Sequence, residues 1–107
     1  MNTMKYGLED DVLKRIQDVM AEHPQVHEAI LYGSRAKGNF KPGSDIDLTL
    51  KGKEIDLAVL NEISMQLDDL MLPYTFDLSV YEYIEDADMR GHIARVGVVL
   101  YERKDEG

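Results

Sequence analysis

Cysteine is missing altogether from these 107 residues. Without a thiol there is no disulfide and no thiolate metal centre. Long apolar runs are missing too: none approaches the ~18 residues that a membrane span needs. The first residues lack a signal-peptide core, and the ending KDEG is not a retention signal. A cytoplasmic protein without membrane attachment is therefore expected. Positive charge is scarce, with 12 Lys and Arg against 21 Asp and Glu, a net charge of −9. A field of that sign repels phosphate backbones and argues against stable binding of free DNA or RNA. The few basic residues are worth locating for the same reason. Arg35, Lys37 and Lys41 fall together in LYGSRAKGNFKPGSDIDLTL, the stretch from Leu31 to Leu50. Locally, that segment reverses the sign of the chain.

What is present reads as one domain, spanning residues 1–107, with 44% hydrophobic and 31% charged residues. No repeat, linker or low-complexity tract divides it. Leu8, Val12, Ile16, Val19 and Met20 recur at helical spacing, and Pro24 ends that helix. Val26 to Tyr32 reads as a buried strand that runs into Gly33, and Lys41-Pro42-Gly43-Ser44 as a turn. From Asp45 to Leu50 polar and apolar residues alternate with strand period. Ile55, Val59, Ile63, Leu67 and Leu70 mark a second long helix, stopped at Pro73. Thr75 to Tyr81 alternates again, and a shorter helix follows from Ala87 to Arg95 with Asp86 as its cap. Gly97 closes it before a last strand, Val98 to Tyr101. The fold class is α/β (α+β): a small mixed sheet of about four strands flanked by helices. The central strand–helix–strand unit should be a crossover that sets its two strands parallel. If these are neighbours, Asp45, Asp47 and Asp77 lie at corresponding ends of adjacent strands.

Residues two apart in a strand share a face, about 7 Å apart. Asp45 and Asp47 therefore project together while Ile46 and Leu48 anchor the other face. Like charges that close repel unless a cation lies between them or one takes a proton. Two carboxylates on one strand and a third on the next suit one or two Mg²⁺ ions, which prefer oxygen ligands and share positions with substrate phosphates. An isolated Asp-x-Asp is more often a solvated sheet face, and Asp77 at the matching place weakens that alternative. Gly33-Ser34, directly after the buried strand, forms a turn where backbone and hydroxyl donors can meet a phosphate. Arg35 and Lys37 are the cations available to a triphosphate there. A tight turn with a solvated basic rim explains the same residues taken alone. The Gly-Lys-[Ser/Thr] of a Walker loop is absent.

Together these residues resemble a known family. Gly33-Ser34, ten intervening residues, then Asp45-Ile46-Asp47 is similar to the GSx10DxD signature of the polymerase-β-type nucleotidyltransferase superfamily. The Arg-Ala-Lys-Gly version of the turn and the ending Gly97-Val98-Val99-Leu100-Tyr101 resemble the minimal nucleotidyltransferases, often the antitoxin partners of HEPN-domain toxins. The resemblance implies the nucleotidyltransferase fold, with Asp45 and Asp47 as metal ligands and Asp77 as the third carboxylate, also at the metal site, assisting an acceptor hydroxyl. It implies nucleotide contacts at Gly33 and Ser34, with Lys37 or Arg35 on the phosphates. It implies ATP as co-substrate with Mg²⁺, and transfer of AMP to a tyrosine hydroxyl of a HEPN ribonuclease. Two other activities stay open: a stoichiometric antitoxin without chemistry, and a small-molecule transferase of the aminoglycoside type. His23, His27 and His92 have no mutual spacing that suggests a metal site, so packing or surface roles are expected. Arg90 and Arg95 are expected at the surface, and Gly91, inside a helix, is expected to mark close packing.

Overall fold

The computed structural model describes residues 4–104. Four strands form one sheet in the order β5-β4-β3-β6: β3 is Val26–Tyr32, β4 Ile46–Gly52, β5 Phe76–Val80 and β6 Val98–Glu102. β3 runs antiparallel to both β4 and β6, while β4 and β5 are parallel, as the crossover requires. The helices are α1 (Asp10–Ala21), the short α2 (Gly33–Lys37), α3 (Leu57–Asp69) and α4 (Ala87–Val96). None of the helices described is long and apolar enough to cross a membrane.

The alternation along the strands sorts the sheet into two unlike faces. Ile46, Leu48 and Leu50 of β4 are fully buried on one face, against Ile16 and Met20 of α1 and Ile63 and Leu67 of α3. Each such side chain stabilises the fold by about 1.5–3 kcal/mol, and together they lock the register. A slip by one residue would drive Asp47 into this core. On the opposite face lie Asp47, Thr49, Asp77 and Ser79, with Ile30 and Tyr32 of β3 covered by Ile93 of α4. The larger core holds the fold, and the second face carries the polar groups.

Several elements differ from expectation at their ends. Leu8 belongs to a small hairpin, β1 (Met4–Lys5) with β2 (Leu8–Glu9), and the first helix starts only at Asp10. Its connecting residues, Tyr6 and Gly7, both have positive φ, as a two-residue hairpin of primed type needs. Tyr81 leaves β5 and opens a single 3₁₀ turn, Tyr81–Tyr83. Asp86 caps α4 as expected, accepting from the Asp88 N–H at 2.9 Å. Gly97 closes α4 with its N–H on the Ile93 carbonyl, and a Cβ there would run into that oxygen and Ile30. At Gly91 a Cβ would meet only the end of the Arg95 side chain, so no tight core contact explains that glycine.

Arg35 is the largest departure. Its side chain is 1% exposed, and its guanidinium is spent internally. Nε and Nη2 donate to the Ser44 carbonyl at 3.1 and 2.9 Å, and Nη1 donates to the Tyr6 carbonyl at 2.9 Å. The rings of Phe40 and Tyr74 flank it at 5.2 and 5.0 Å. Among the described residues the one ion pair is Lys14–Asp18, so no carboxylate neutralises Arg35. Carbonyl dipoles and π faces do that instead. The guanidinium ties the hairpin and α2 to the connector that delivers β4. Gly7 makes room for it, because a Cβ there would strike Phe40 and Nη1. Truncation in Arg35→Ala would leave two carbonyls without donors and a void between two rings. Urea unfolding is expected to show a loss of about 2–4 kcal/mol, whereas exposed Lys37→Ala should change stability by less than about 0.5 kcal/mol.

Candidate active site

The end of β3 and the starts of β4 and β5 meet at one edge of the sheet. Tyr32 pairs with Asp47 across the antiparallel ladder, and Asp47 pairs with Asp77 across the parallel one. With strands about 4.8 Å apart, the two carboxylates are immediate neighbours on the polar face. Asp45 is exposed just before β4, where the Ile46 N–H donates to the Thr75 carbonyl at 2.9 Å and fixes the strand's entry. The three aspartates therefore share one edge.

Gly33 begins α2 with φ +76°. Its bare Cα faces Asp47, and a Cβ at this position would collide with Asp47 Oδ2. That close approach, together with the left-handed backbone, is the physical reason for glycine here. Ser34 follows, half-buried, and its carbonyl accepts from Gly38 and Asn39 to close the short helix. Lys37 is exposed on the last turn. Lys41 lies on the connector, in a turn closed by the Ser44 N–H on the Lys41 carbonyl and the Lys41 N–H on Ser44 Oγ. Of the two cations considered for a phosphate, Lys37 remains available and Arg35 does not. The expectation for Arg35 is corrected by its burial and by the internal hydrogen bond that each of its three guanidinium nitrogens makes.

Electrostatics single out Asp47. Burial holds its carboxyl above the usual range, the charges of Asp77 and Asp45 push it further, and His92 partly offsets them. Tyr32 is also raised, first by burial and then by Asp77 and Asp47, so its phenol stays protonated at neutral pH. The Ser79 hydroxyl lies beside that phenol and acts in the opposite sense. Their contact falls short of a well-formed hydrogen bond, and Ser79 Oγ and Thr49 Oγ1 are both buried without a partner.

His92 is the residue that the sequence did not single out. It projects from α4, accepts the Gly33 N–H on Nε2 at 3.3 Å, and stands edge-on to Tyr32 with centroids 6.2 Å apart. Its companion Arg90 is not a free surface cation. It donates to the carbonyls of Ile84 at 2.6 Å and Tyr81 at 3.1 Å, with its guanidinium over the Tyr81 ring. His23 is buried and bonded to Gln66 at 2.7 Å, the packing role expected of it.

No three His, Asp or Glu side chains among the described residues converge into a ready-made metal cage. The donor set nevertheless suits a hard cation. Neighbouring aspartates, one of them held above its normal pKa by burial and then by the charges of the others, gain most from a positive charge placed between them. Mg²⁺ takes only one or two carboxylates and completes its shell from water and phosphate.

A mixed four-stranded sheet with this carboxylate edge and an adjoining glycine-serine turn defines a nucleotidyltransferase fold. The chain belongs to the Polymerase beta, Nucleotidyltransferase family, which matches residues 14–106. No curated protein matches the sequence. Among solved structures, it is similar to a chain of a toxin–antitoxin complex with AMP-PNP, at TM-score 0.70 and 18% identity, covering 86% of this chain and 74% of that one. It is also similar to a chain of the tri-AMPylated Shewanella oneidensis HEPN toxin in complex with the MNT antitoxin, at TM-score 0.65 and 16% identity, covering 86% and 71%. A third similarity is to the MntA–HepT toxin–antitoxin complex, at TM-score 0.64 and 16% identity, with the same coverages. The family makes this chain a nucleotidyltransferase, and these likenesses show that the shared fold spans most of it.

The raised Asp47 pKa has a stability consequence with a definite sign. A carboxyl whose folded pKa exceeds its unfolded value contributes stability below the unfolded pKa, and that contribution is lost as pH rises through the folded one. In the absence of divalent cations, Asp47→Asn should therefore melt higher than wild type at pH 7, by a few degrees. The gap should close towards pH 3.5, as thermal denaturation across that range would record.

Proposed function

We propose that this nucleotidyltransferase moves AMP from ATP to a hydroxyl of a HEPN-domain toxin and neutralises it as an antitoxin, in the cytoplasm. The acceptor is a tyrosine. The observation that carries the reading is the register pair Asp47–Asp77 beside a glycine with no room for a side chain. The solved neighbours support the rest: one is a toxin–antitoxin complex with an ATP analogue, another a HEPN toxin bearing AMP groups.

Each residue then has a task. Asp45 and Asp47 hold Mg²⁺, one ion or two, with Asp77 contributing from the next strand. When bound, the metal neutralises the triphosphate and the leaving pyrophosphate. Ser34 donates to a phosphate oxygen, Gly33 allows the triphosphate and Asp47 to approach closely, and Lys37 adds charge. Asp77 orients the acceptor hydroxyl and takes its proton as the oxygen attacks the α-phosphorus. The bond to the β-phosphate breaks and pyrophosphate departs. The strongly acidic chain disfavours nucleic acid as the acceptor.

The test is transfer of label from α-labelled ATP, with Mg²⁺, to a candidate HEPN-domain toxin, sought as the product encoded next to this chain or as a protein it captures from a lysate. Wild type should label the toxin, and Asp47→Asn should lose more than the ~10–100-fold typical of an outer-shell change. Binding and inhibition of the toxin without label, in both proteins, would instead establish occlusion without chemistry. Label appearing only on an added aminoglycoside would establish the small-molecule transferase.

A further inference from the structure

Gly33 is the hinge of the site and the residue least able to hold itself still. A glycine at the end of a strand has several backbone basins of similar energy, so its φ of +76° needs an outside restraint. One side chain supplies it. His92 Nε2 accepts the Gly33 N–H at 3.3 Å, which requires the tautomer with that nitrogen unprotonated. The same ring meets the preceding residue, Tyr32, edge-on, with an interplanar angle of 82°. The two contacts flank the Tyr32–Gly33 peptide.

The platform behind His92 is rigid. Ile93, next in the chain, is 3% exposed and packs with Ile30 and Tyr32. Arg90, two residues before it, clamps α4 to the carbonyls of Tyr81 and Ile84. The end of the helix is tied by the Gly97 N–H on the Ile93 carbonyl at 2.8 Å. A histidine carried on so fixed a helix can set the orientation of a peptide that glycine leaves free.

We propose that His92 is a positioning residue for the transfer, an inference that rests on the function given above. It acts through Gly33 and does not touch the reacting atoms. With its N–H engaged, Gly33 keeps its bare Cα turned towards Asp47 and starts α2 at a fixed angle, which places the Ser34 hydroxyl. The Gly33 amide is thereby occupied. Its part in nucleotide binding is the space it leaves, and the phosphate donors come from Ser34 and Lys37.

Two variants separate this role from mere packing. His92→Phe keeps a ring against Tyr32 but has no acceptor, and His92→Gln keeps an acceptor at similar reach. Three readouts apply: hydrogen exchange at the Gly33 amide, affinity for MgATP, and transfer to the toxin. In His92→Phe, Gly33 exchange should accelerate and transfer should fall roughly 10–100-fold, the usual cost of losing an orienting group. His92→Gln should recover most of both. Unchanged Gly33 exchange in His92→Phe overturns the inference, as does impaired transfer in His92→Gln when Gly33 is protected again. If wild type transfers no label, the functional reading fails, while Gly33 exchange still decides whether His92 restrains the turn.

Discussion

Tyr32 opposite Asp47 is the pairing on which the carboxylate edge depends. It places the last residue of β3 beside the DxD strand, so the next residue must pass directly over a carboxylate. Glycine suits this crossing, since the backbone has φ +76° and a Cβ at position 33 would overlap Asp47 Oδ2 and force that carboxylate to move. Everything else at the edge follows from that crossing. The turn that could meet a phosphate and the carboxylates that could meet a cation are brought together by backbone register, without long flexible side chains. Such placement costs little side-chain entropy when ligand binds.

The sheet divides its labour between faces. One is wholly apolar and supplies the stability that fixes register, through Ile46, Leu48 and Leu50. The other concentrates features that a fold selected for stability alone would avoid: adjacent aspartates, a tyrosine whose pKa is raised by burial and then by their charges, and two buried hydroxyls without partners. Concentrated strain of this kind marks places where charge is expected to be compensated by something outside the chain. Arg35 shows the opposite strategy. A permanent cation is buried and satisfied internally, where it braces the connector and leaves Lys37 to face solvent.

Strand alternation, proline and glycine punctuation and the GSx10DxD spacing made the sheet, its long helices and the carboxylate edge legible in the sequence. The parallel crossover put Asp45, Asp47 and Asp77 near corresponding ends of neighbouring strands, while the register that sets Asp47 opposite Asp77 is visible only in the fold. What the sequence hid were relations between distant positions. The cage around Arg35 is built from Tyr6, Phe40, Ser44 and Tyr74, and no local pattern distinguishes a basic residue that folds inward from one that reaches out. His92 lies 59 residues from Gly33, and a lone histidine on a short helix carries no signal of its own. Met71 lies four residues after Leu67 and would continue the apolar stripe of α3, yet it is 86% exposed, because the helix ends at Asp69 and Met71 turns out of it with φ +57°.

The central claim is that the shared edge of β3, β4 and β5 is where cation and nucleotide meet. Paramagnetic Mn²⁺, titrated into isotope-labelled protein with a non-hydrolysable ATP analogue, reports that location directly by line broadening. Broadening confined to Gly33, Ser34, Asp45 to Asp47 and Asp77, and strengthened by the nucleotide, is the predicted result. Broadening spread over the acidic surface of α1, or unaffected by nucleotide, would contradict it.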